Sequence, residues 1–295
     1  MSVQFDNPAL NALHRASAEN RSRKFTQRAP LVALVSLMLM ASASADGGGI
    51  KQPSLGGPIF DITHFDVIPF DNFQQTAYTA LFAYRDASRH DQGLESSRVV
   101  NWVLAPNHSQ IIDVWDSLDA FNRHLAQDHS VDFRFAVQVQ PPPPPPGFNC
   151  CIGIPIDDRQ YSLVKSFGTP WTNKSLPSTV GSSGALFVVT YVDFLEEVLD
   201  TDPDRGQEEL AQYGAATSNA NGFLNFTILQ QLDRPNRAAV LEVWATQGSY
   251  ETWQGSATTT KFIKIITPLL GSPLDHRLNI LCGETFDDKN GCIPP

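Results

Sequence analysis

Two strand-like segments of the chain each carry an acidic residue two positions before a tryptophan. Glu242 precedes Trp244, and Asp113 precedes Trp115. Successive side chains of a strand point to opposite faces, so each acid shares a face with its tryptophan. The functional interpretation is that these residues line an apolar pocket that binds a small molecule. The alternative interpretation is that both tryptophans are ordinary core residues.

Further aromatic and polar side chains accompany these strands. Tyr250 and Trp253 lie on the helical stretch after Trp244, and His124 holds the place of Trp253 in the first half of the chain. Asn225, on the preceding strand, is a candidate hydrogen-bond donor for a pocket ligand. Core packing is the alternative role for Trp253. The predicted catalytic residues are Asn225, Trp244, Trp253 and His124, and the predicted substrate-binding residues are Tyr250, Glu242, Tyr191, Trp115 and His64.

Three histidines of the first half form a second candidate group. One interpretation brings His64, His124 and His129 together as bases, because imidazole titrates near neutral pH. The other treats His124 and His129 as exposed helix positions that are five apart and therefore do not share a face. That spacing also argues against a metal pair, which needs i,i+4 on a helix. We predict no metal site and find no Gly-rich phosphate loop and no Gly-x-Ser-x-Gly.

The chain repeats itself at a nearly constant offset. Segment 59–66 matches segment 186–193 at an offset of 127 residues. At an offset of 129, the matching pairs are Pro106-Asn107 with Pro235-Asn236, Val114-Trp115 with Val243-Trp244, Phe121 with Tyr250, and Phe133 with Phe262. A repeat of about 100 residues is too long for a solenoid and has the size of a domain, so the pattern predicts an internal duplication.

Periodicity within each repeat predicts the order βαββαβ. In the second repeat, strands are expected at 186–194, 223–231, 238–244 and 274–281, with helices at 205–218 and 248–270, the latter broken near Gly255. The order predicts an α+β fold of two tandem ferredoxin-like (βαββαβ) domains. Each sheet has helices on one face only, so the two sheets are expected to cover each other as a pseudo-dimeric α/β barrel within one chain.

The repeat also predicts the domain boundaries. The first domain, which we call unit one, is placed at 58–165 and the second, unit two, at 185–282, with a linker at 166–184 and a C-terminal tail at 283–295. The six prolines 141–146 fall in an insertion of unit one at about 140–150. That insertion should be an exposed loop, and its deletion should leave the protein able to fold.

The N-terminus is predicted to be an export signal. Basic residues precede the apolar run 31–40 and the small residues 41–45, so residues 1–45 are expected to be a cleaved signal peptide, with 46–57 as a flexible leader. The four cysteines, an even number, fit an oxidising compartment. Two pairings stay open. Either Cys282 pairs with Cys292, or both of them are linked back to Cys150 and Cys151. The net charge of −10 disfavours nucleic acid and anionic membranes as partners.

Unit two resembles the antibiotic biosynthesis monooxygenase (ABM) family of the dimeric α/β-barrel superfamily. The resemblance rests on the strand 241–244, Tyr250, the helix around 260–262 and the first strand 187–193. It covers about 185–282 well and 58–165 more weakly. It implies a small oxygenase that binds a flat aromatic or quinol-type substrate between sheet and helices. Some members use no metal or flavin, because the deprotonated substrate itself reduces dioxygen.

The sequence departs from two patterns of that family. The axial histidine of haem-degrading members would fall at Ile263 or Arg134, so haem degradation is a distant third prediction. The asparagine of cofactor-free members would fall at Val240 or Ile111.

Taken together, the leading prediction is an exported, monomeric, cofactor-independent monooxygenase that acts on a small aromatic substrate and dioxygen. The alternative is a non-catalytic binding or interaction module of the same fold. The working pocket is expected in unit two.

Overall fold

The structure is a computed structural model that describes residues 56–67, 71–105, 107–137, 156–172, 185–282, 286–287 and 291–292. The predicted signal peptide, the proline run, and Cys150 and Cys151 lie outside the described residues. Cys282 is disulfide-bonded, and its pairing with Cys292 stays a prediction. Among the described residues, no helix is long and apolar enough to cross a membrane.

The elements follow the predicted order in both units. Unit one contains β1 (Ile59–Asp66), α1 (Asp71–Ser88), β2 (Leu94–Trp102), β3 (His108–Trp115), α2 (Leu118–Leu125), α3 (Asp128–Val137) and β4 (Asp157–Gly168). Unit two contains β5 (Leu186–Asp193), α4 (Glu196–Thr201), α5 (Arg205–Thr217), β6 (Phe223–Gln231), β7 (Arg237–Trp244), α6 (Gln247–Gln254), α7 (Ala257–Ile266), a 3₁₀ turn (Thr267–Leu269) and β8 (Asp275–Leu281). Two short strands, β9 (Phe286–Asp287) and β10 (Gly291–Cys292), pair with each other. Periodicity did not predict the short helix α4, the 3₁₀ turn or the strands β9 and β10.

The second helical stretch of each unit is two helices instead of one. Side-chain caps mark where three of these helices begin: Ser117 caps α2, Thr246 caps α6 and Ser256 caps α7. Each side chain accepts a hydrogen bond from a backbone N–H of the first turn. The break predicted near Gly255 is therefore confirmed. Gly93 and Gly222 stand at equivalent positions before β2 and β6 with φ of 94° and 78°, a backbone conformation that other residues rarely adopt.

Eight antiparallel strands close into one barrel in the order β1-β3-β2-β8-β5-β7-β6-β4. Each unit contributes a four-stranded sheet of ferredoxin-like order, and β2–β8 and β4–β6 pairs join the two sheets. The pairing leaves no strand of the barrel with a free edge. The predicted α+β pseudo-dimeric barrel is confirmed.

The barrel interior is filled with side chains from both units. Phe60, Ile112, Phe187 and Leu241 belong to this buried cluster. The strand β4 continues to Gly168, three residues into the segment predicted as linker. Just beyond it, Trp171 is 6% exposed and packs edge-on against Phe60 and Phe187, at ring-centroid distances of 6.2 and 6.0 Å.

Helices cover the outer face of each sheet. In unit one, α1 and α3 contribute Tyr78, Leu81 and Phe133 to a cluster with residues of the sheet. In unit two, α5 and α7 contribute Leu210 and Ile266 to the corresponding cluster. Each strand therefore has one face in the barrel and one face against helices, and both candidate regions described below lie on the helix side.

Replacing Trp171 by alanine should destabilise the barrel by about 3–5 kcal/mol, because a large buried side chain leaves a cavity. The substitution also removes one of two donors to the buried Asn225 Oδ1, which accepts from Trp171 Nε1 at 2.7 Å and from Thr227 Oγ1 at 2.9 Å. Urea unfolding measures the change. Leu104→Ala is the control, because that side chain is 80% exposed and should cost less than about 0.5 kcal/mol. Equal costs for the two variants would place Trp171 outside the core.

Candidate active site

A small cavity lies between the outer face of the unit-two sheet and helices α5 and α7. Its lining is mainly apolar, with a single buried carboxyl group. The lining side chains are Thr190, Val192, Leu210, Tyr213, Phe226, Val240, Glu242, Gln254, Thr259, Phe262, Ile263, Leu274 and His276. An apolar cavity with a few convergent polar groups is the usual form of a small-molecule site.

Glu242 is the carboxyl group of this cavity and is 3% exposed. Its Oε2 accepts a hydrogen bond from Trp244 Nε1 at 3.0 Å. Burial raises the pKa of Glu242 to about 7, and the hydrogen bond from Trp244 acts in the opposite direction. A carboxylate with a pKa near 7 is suited to accept a proton at neutral pH.

Three aromatic rings line the cavity, those of Tyr213, Phe226 and Phe262. The rings of Tyr213 and Phe262 are stacked, with centroids 4.0 Å apart and planes 10° apart. Trp253 Nε1 donates to the Tyr213 hydroxyl at 2.9 Å, and that hydroxyl is 3.0 Å from Thr259 Oγ1. The cavity that remains has a volume of about 20 Å³, which is room for about one water molecule.

Four predicted residues of unit two come together as expected. Trp244 is fully buried, and its ring centroid lies 6.0 Å from Tyr250 and 6.4 Å from Trp253. Glu242 lies on the same face of β7 as Trp244 and accepts the hydrogen bond from its indole N–H. Trp244, Tyr250 and Trp253 therefore form an aromatic cluster beside the cavity, and of the four residues only Glu242 is among the side chains that line it. The core interpretation also holds in part, because Trp244 has no exposed surface.

The prediction that Asn225 shares this pocket was wrong. The register of β6 shifts between Phe223 and Asn225, which places Phe223 on the helix side and Asn225 inside the barrel. Its amide is held there by Trp171, by Ser166 Oγ at 3.2 Å and by the Thr169 carbonyl at 2.8 Å. Asn225 therefore closes the end of the barrel interior and does not face a helix-side ligand.

Tyr191 and His64, both predicted to bind substrate, also lie on the barrel face, so neither side chain reaches the helix-side cavity of unit two. On β5, Thr190 and Val192 face the cavity, and strand alternation turns Tyr191 the other way. The Tyr191 ring lies between the guanidinium groups of Arg159 and Arg277, 4.8 and 4.9 Å from its centroid. His64 reaches the same cluster, with Arg277 Nη1 2.7 Å from its Nδ1.

Unit one is more polar in the equivalent region. Asp113 replaces Glu242, and its shorter side chain does not reach the indole N–H of Trp115, although both residues share the helix-side face. Among the described residues, Asp113 Oδ1 and Trp115 Nε1 have no hydrogen-bond partner. Burial raises the pKa of Asp113 to about 7. Asp61 faces Asp113 across the β1–β3 pair as a second buried carboxyl group.

His124 and His129 are not exposed members of one helix. They lie on α2 and α3, so the spacing rule for a single helix does not apply, and their ring centroids are 5.3 Å apart. His124 is 1% exposed, stacks on Trp115 at 4.5 Å, and bonds Tyr84 Oη at 2.7 Å and Asp91 Oδ2 at 2.6 Å. His64 lies on the opposite face of the sheet, so the three histidines do not converge.

The side chains present do not fit haem. Ile263, at the position of the axial ligand in unit two, contributes a hydrocarbon side chain to the cavity. Arg134, at that position in unit one, is ion-paired with Asp158. Neither group ligates haem iron.

Tyr213 and Phe262 are the functional candidates that sequence reasoning missed. The internal repeat contains the signal that could have found them. Tyr213 is equivalent to Tyr84 and Phe262 to Phe133, and the unit-one pair stacks in the same way, with centroids 4.5 Å apart. A stacked tyrosine–phenylalanine pair is thus a shared feature of both helix–sheet regions.

Comparison with known proteins supports the fold. A protein from Fusobacterium nucleatum assigned provisionally as a monooxygenase is 14% identical, with a TM-score of 0.60 over 77% of this chain and 93% of that chain. A similarly assigned protein from Lactobacillus acidophilus is 14% identical, with a TM-score of 0.53 over 78% and 95%. An anthrone oxidase-like protein is 13% identical, with a TM-score of 0.56 over 78% and 94%.

The sequence comparisons are narrower. No curated protein matches the chain. The profile of the antibiotic biosynthesis monooxygenase (ABM) family matches residues 201–265, which contain α5, β6, β7, α6 and most of α7. These elements carry Glu242, Trp253 and Phe262. The predicted resemblance is confirmed, because residues 201–265 of unit two match the antibiotic biosynthesis monooxygenase family within a tandem ferredoxin-like barrel.

Proposed function

We propose that the protein is a cofactor-independent monooxygenase that oxidises a small aromatic or quinol-type substrate in the unit-two cavity. The observation that carries the proposal is Glu242, a buried carboxyl group with a pKa of about 7 at the floor of an aromatic cavity. The match of the ABM family to the same unit supports it.

A flat substrate would take the place of the Phe262 ring. Because that ring stacks on Tyr213 with nearly parallel planes, the space it occupies has the shape of an aromatic ring. Each such stacking contact is worth about 0.5–1.5 kcal/mol beyond burial of area. Displacement of Phe262 on α7 is therefore the step that opens the site.

Glu242 would then accept the phenolic proton of the substrate. The apolar lining excludes water and leaves an electron-rich anion next to Tyr213 and Phe226. That anion supplies the electrons for dioxygen. Where the reacting carbon carries two hydrogens, one oxygen atom replaces both as a carbonyl and the other leaves as water, so the substrate provides all four electrons.

A non-catalytic binding module of the same fold is the second candidate. The observation that favours it is the small size of the cavity, whose volume is only about 20 Å³. Such a module would bind an aromatic ligand without consuming oxygen.

We also propose that the protein is exported. The basic, apolar and small-residue segments of 1–45 support this, as does the disulfide bond of Cys282. N-terminal sequencing of the protein recovered outside the cytoplasm should begin at Asp46.

Oxygen uptake with a panel of anthrols and hydroquinones, in the presence of a chelator, tests the proposed activity. Glu242→Gln keeps an acceptor for Trp244 but removes the base, so uptake should fall by about 100-fold or more. Glu251→Gln, at an exposed position of α6, is the matched control and should behave as the wild type. Unchanged uptake in Glu242→Gln contradicts the assignment. Saturable binding without uptake by the wild type favours the binding module.

Replacing Trp253 by alanine should weaken the binding of an aromatic ligand by about tenfold or more, on the order of 1.4 kcal/mol. The indole contacts Trp244 and donates a hydrogen bond to the Tyr213 hydroxyl, so its loss frees the Tyr213 ring that lines the cavity. Fluorescence titration measures the affinity. Trp102→Ala, on β2 of unit one, is the control. An affinity loss that is the same in both variants would argue against a unit-two site.

The free energy of unfolding should depend on pH through Glu242. The unfolded chain releases this proton near pH 4.5, whereas the folded chain keeps it to about pH 7. Between those values the unfolded state binds fewer protons, so stability falls as pH rises. Glu242→Gln removes that slope and should gain up to about 3 kcal/mol relative to the wild type from about pH 4.5 to pH 8. Urea unfolding across that range measures the difference, and parallel profiles for the two proteins would contradict a buried, ionisable Glu242.

A further inference from the structure

A carboxylate and two imidazoles meet on the helix side of unit one. Asp91 lies in the turn after α1, His124 in the last turn of α2 and His129 in the first turn of α3. We propose that these three side chains bind a divalent transition-metal ion. The proposal does not depend on the oxygenase activity assigned to unit two.

The candidate ligand atoms are already close together. Asp91 Oδ2 is 2.6 Å from His124 Nδ1 and 3.0 Å from His129 Nε2, and all three atoms lie within 4.8 Å of one another. Around a tetrahedral ion with bonds of about 2.0–2.1 Å, neighbouring ligand atoms are roughly 3.3 Å apart. Small side-chain adjustments would therefore place an ion between them.

His129 provides an observation that hydrogen bonding does not explain. Its Nε2 is buried and lies 3.0 Å from Asp91 Oδ2, yet among the described residues it has no hydrogen-bond partner of acceptable geometry. The nitrogen lies close to the carboxylate oxygen without forming a hydrogen bond to it. Two metal ligands that both point at the same ion are arranged in this way. Buried unsatisfied nitrogens are rare and call for such an explanation.

The surroundings of the three side chains also suit a cation. The carboxyl group of Asp113 interacts electrostatically with Asp91, and Arg134, a cation that acts on His124, is ion-paired with Asp158. Tyr84 Oη lies 2.7 Å from His124 Nε2, which supplies the outer hydrogen bond that orients a metal-ligating imidazole. The side chains of Asp91 and His129 are 16% and 24% exposed, so an ion can enter from solvent.

The group is specific to unit one. At the equivalent positions unit two carries Ala220, Trp253 and Thr258, so the fold itself does not require these ligands. Two imidazoles and one carboxylate with open coordination positions are typical of catalytic zinc and of non-haem iron(II). The ion is therefore expected to be a divalent first-row transition metal that keeps at least one exchangeable position.

A second histidine–aspartate group, His64, Asp66 and His108, has a structural explanation instead. Unit two repeats the pairing of Asp66 with His108 as the salt bridge of Asp193 with Arg237, at 2.9 Å. In addition, the Arg277 guanidinium contacts His64 directly, which places a positive charge where an ion would have to bind.

Cobalt(II) and zinc(II) titration of the full chain without an affinity tag, after chelator treatment, tests the proposal. We expect one cobalt(II) per chain with a visible d–d spectrum that zinc(II) removes. His129→Ala and Asp91→Asn should each weaken cobalt(II) binding by about 100-fold or more. Loss of a hydrogen bond to a ligand, rather than of a ligand itself, typically costs about 10–100-fold. Both positions are partly exposed, so the variants should fold, which circular dichroism checks.

Two controls make the outcome decisive. His90→Ala, an exposed neighbour of Asp91, and Asp66→Asn, in the second group, should both bind cobalt(II) as the wild type does. No binding by the wild type overturns the proposal, as does binding that survives Asp91→Asn but is lost in Asp66→Asn. Because the readout is metal binding and not oxygen uptake, neither result depends on whether unit two is an oxygenase.

Discussion

The closure of eight antiparallel strands into one barrel determines where this protein can bind a ligand. Closure pairs every strand edge, through β4–β6 and β2–β8, and it packs the inner faces of both sheets against each other. The resulting interior is filled by side chains such as Phe60, Phe187 and Trp171. The cavity lined by Glu242 lies on an outer face instead, between the unit-two sheet and the helices that cover it.

Duplication gave the protein two such outer regions, and they have diverged in chemistry. In unit two, Glu242 is long enough to accept the Trp244 indole N–H, and Trp253 bonds the Tyr213 hydroxyl, so the region is aromatic with one satisfied carboxyl group. In unit one, a shorter Asp113 leaves Trp115 without that bond, and His124 stands where unit two has Trp253. A few substitutions thus convert an aromatic cavity into a polar cluster while the stacked tyrosine–phenylalanine pair remains in both units.

Much of this arrangement could be predicted from the sequence because local periodicity and the repeat are both strong. The strand β6 has the predicted bounds, and Glu242, Trp244, Tyr250 and Trp253 come together as strand alternation and helix order required. The errors have two physical sources. Asn225 is predicted as a donor for a pocket ligand, but it shares the inner face of β6 with Leu229, and the bulge before it turns Phe223 toward the helices instead. A helix break between α2 and α3 invalidates the single-helix spacing rule applied to His124 and His129. Neither a bulge nor the angle between two short helices is encoded in the period of apolar residues.

The position of a bound aromatic ligand is the most direct test of this account. A crystal structure with an anthraquinone, a flat and already oxidised ring system that is not turned over, should show it against Tyr213 and within hydrogen-bonding distance of Glu242. The Phe262 ring should have left its present stacking position, 4.0 Å from the Tyr213 centroid. An anthraquinone bound inside the barrel, or in unit one beside Tyr84, would contradict the claim that the unit-two helix–sheet cavity is the working site.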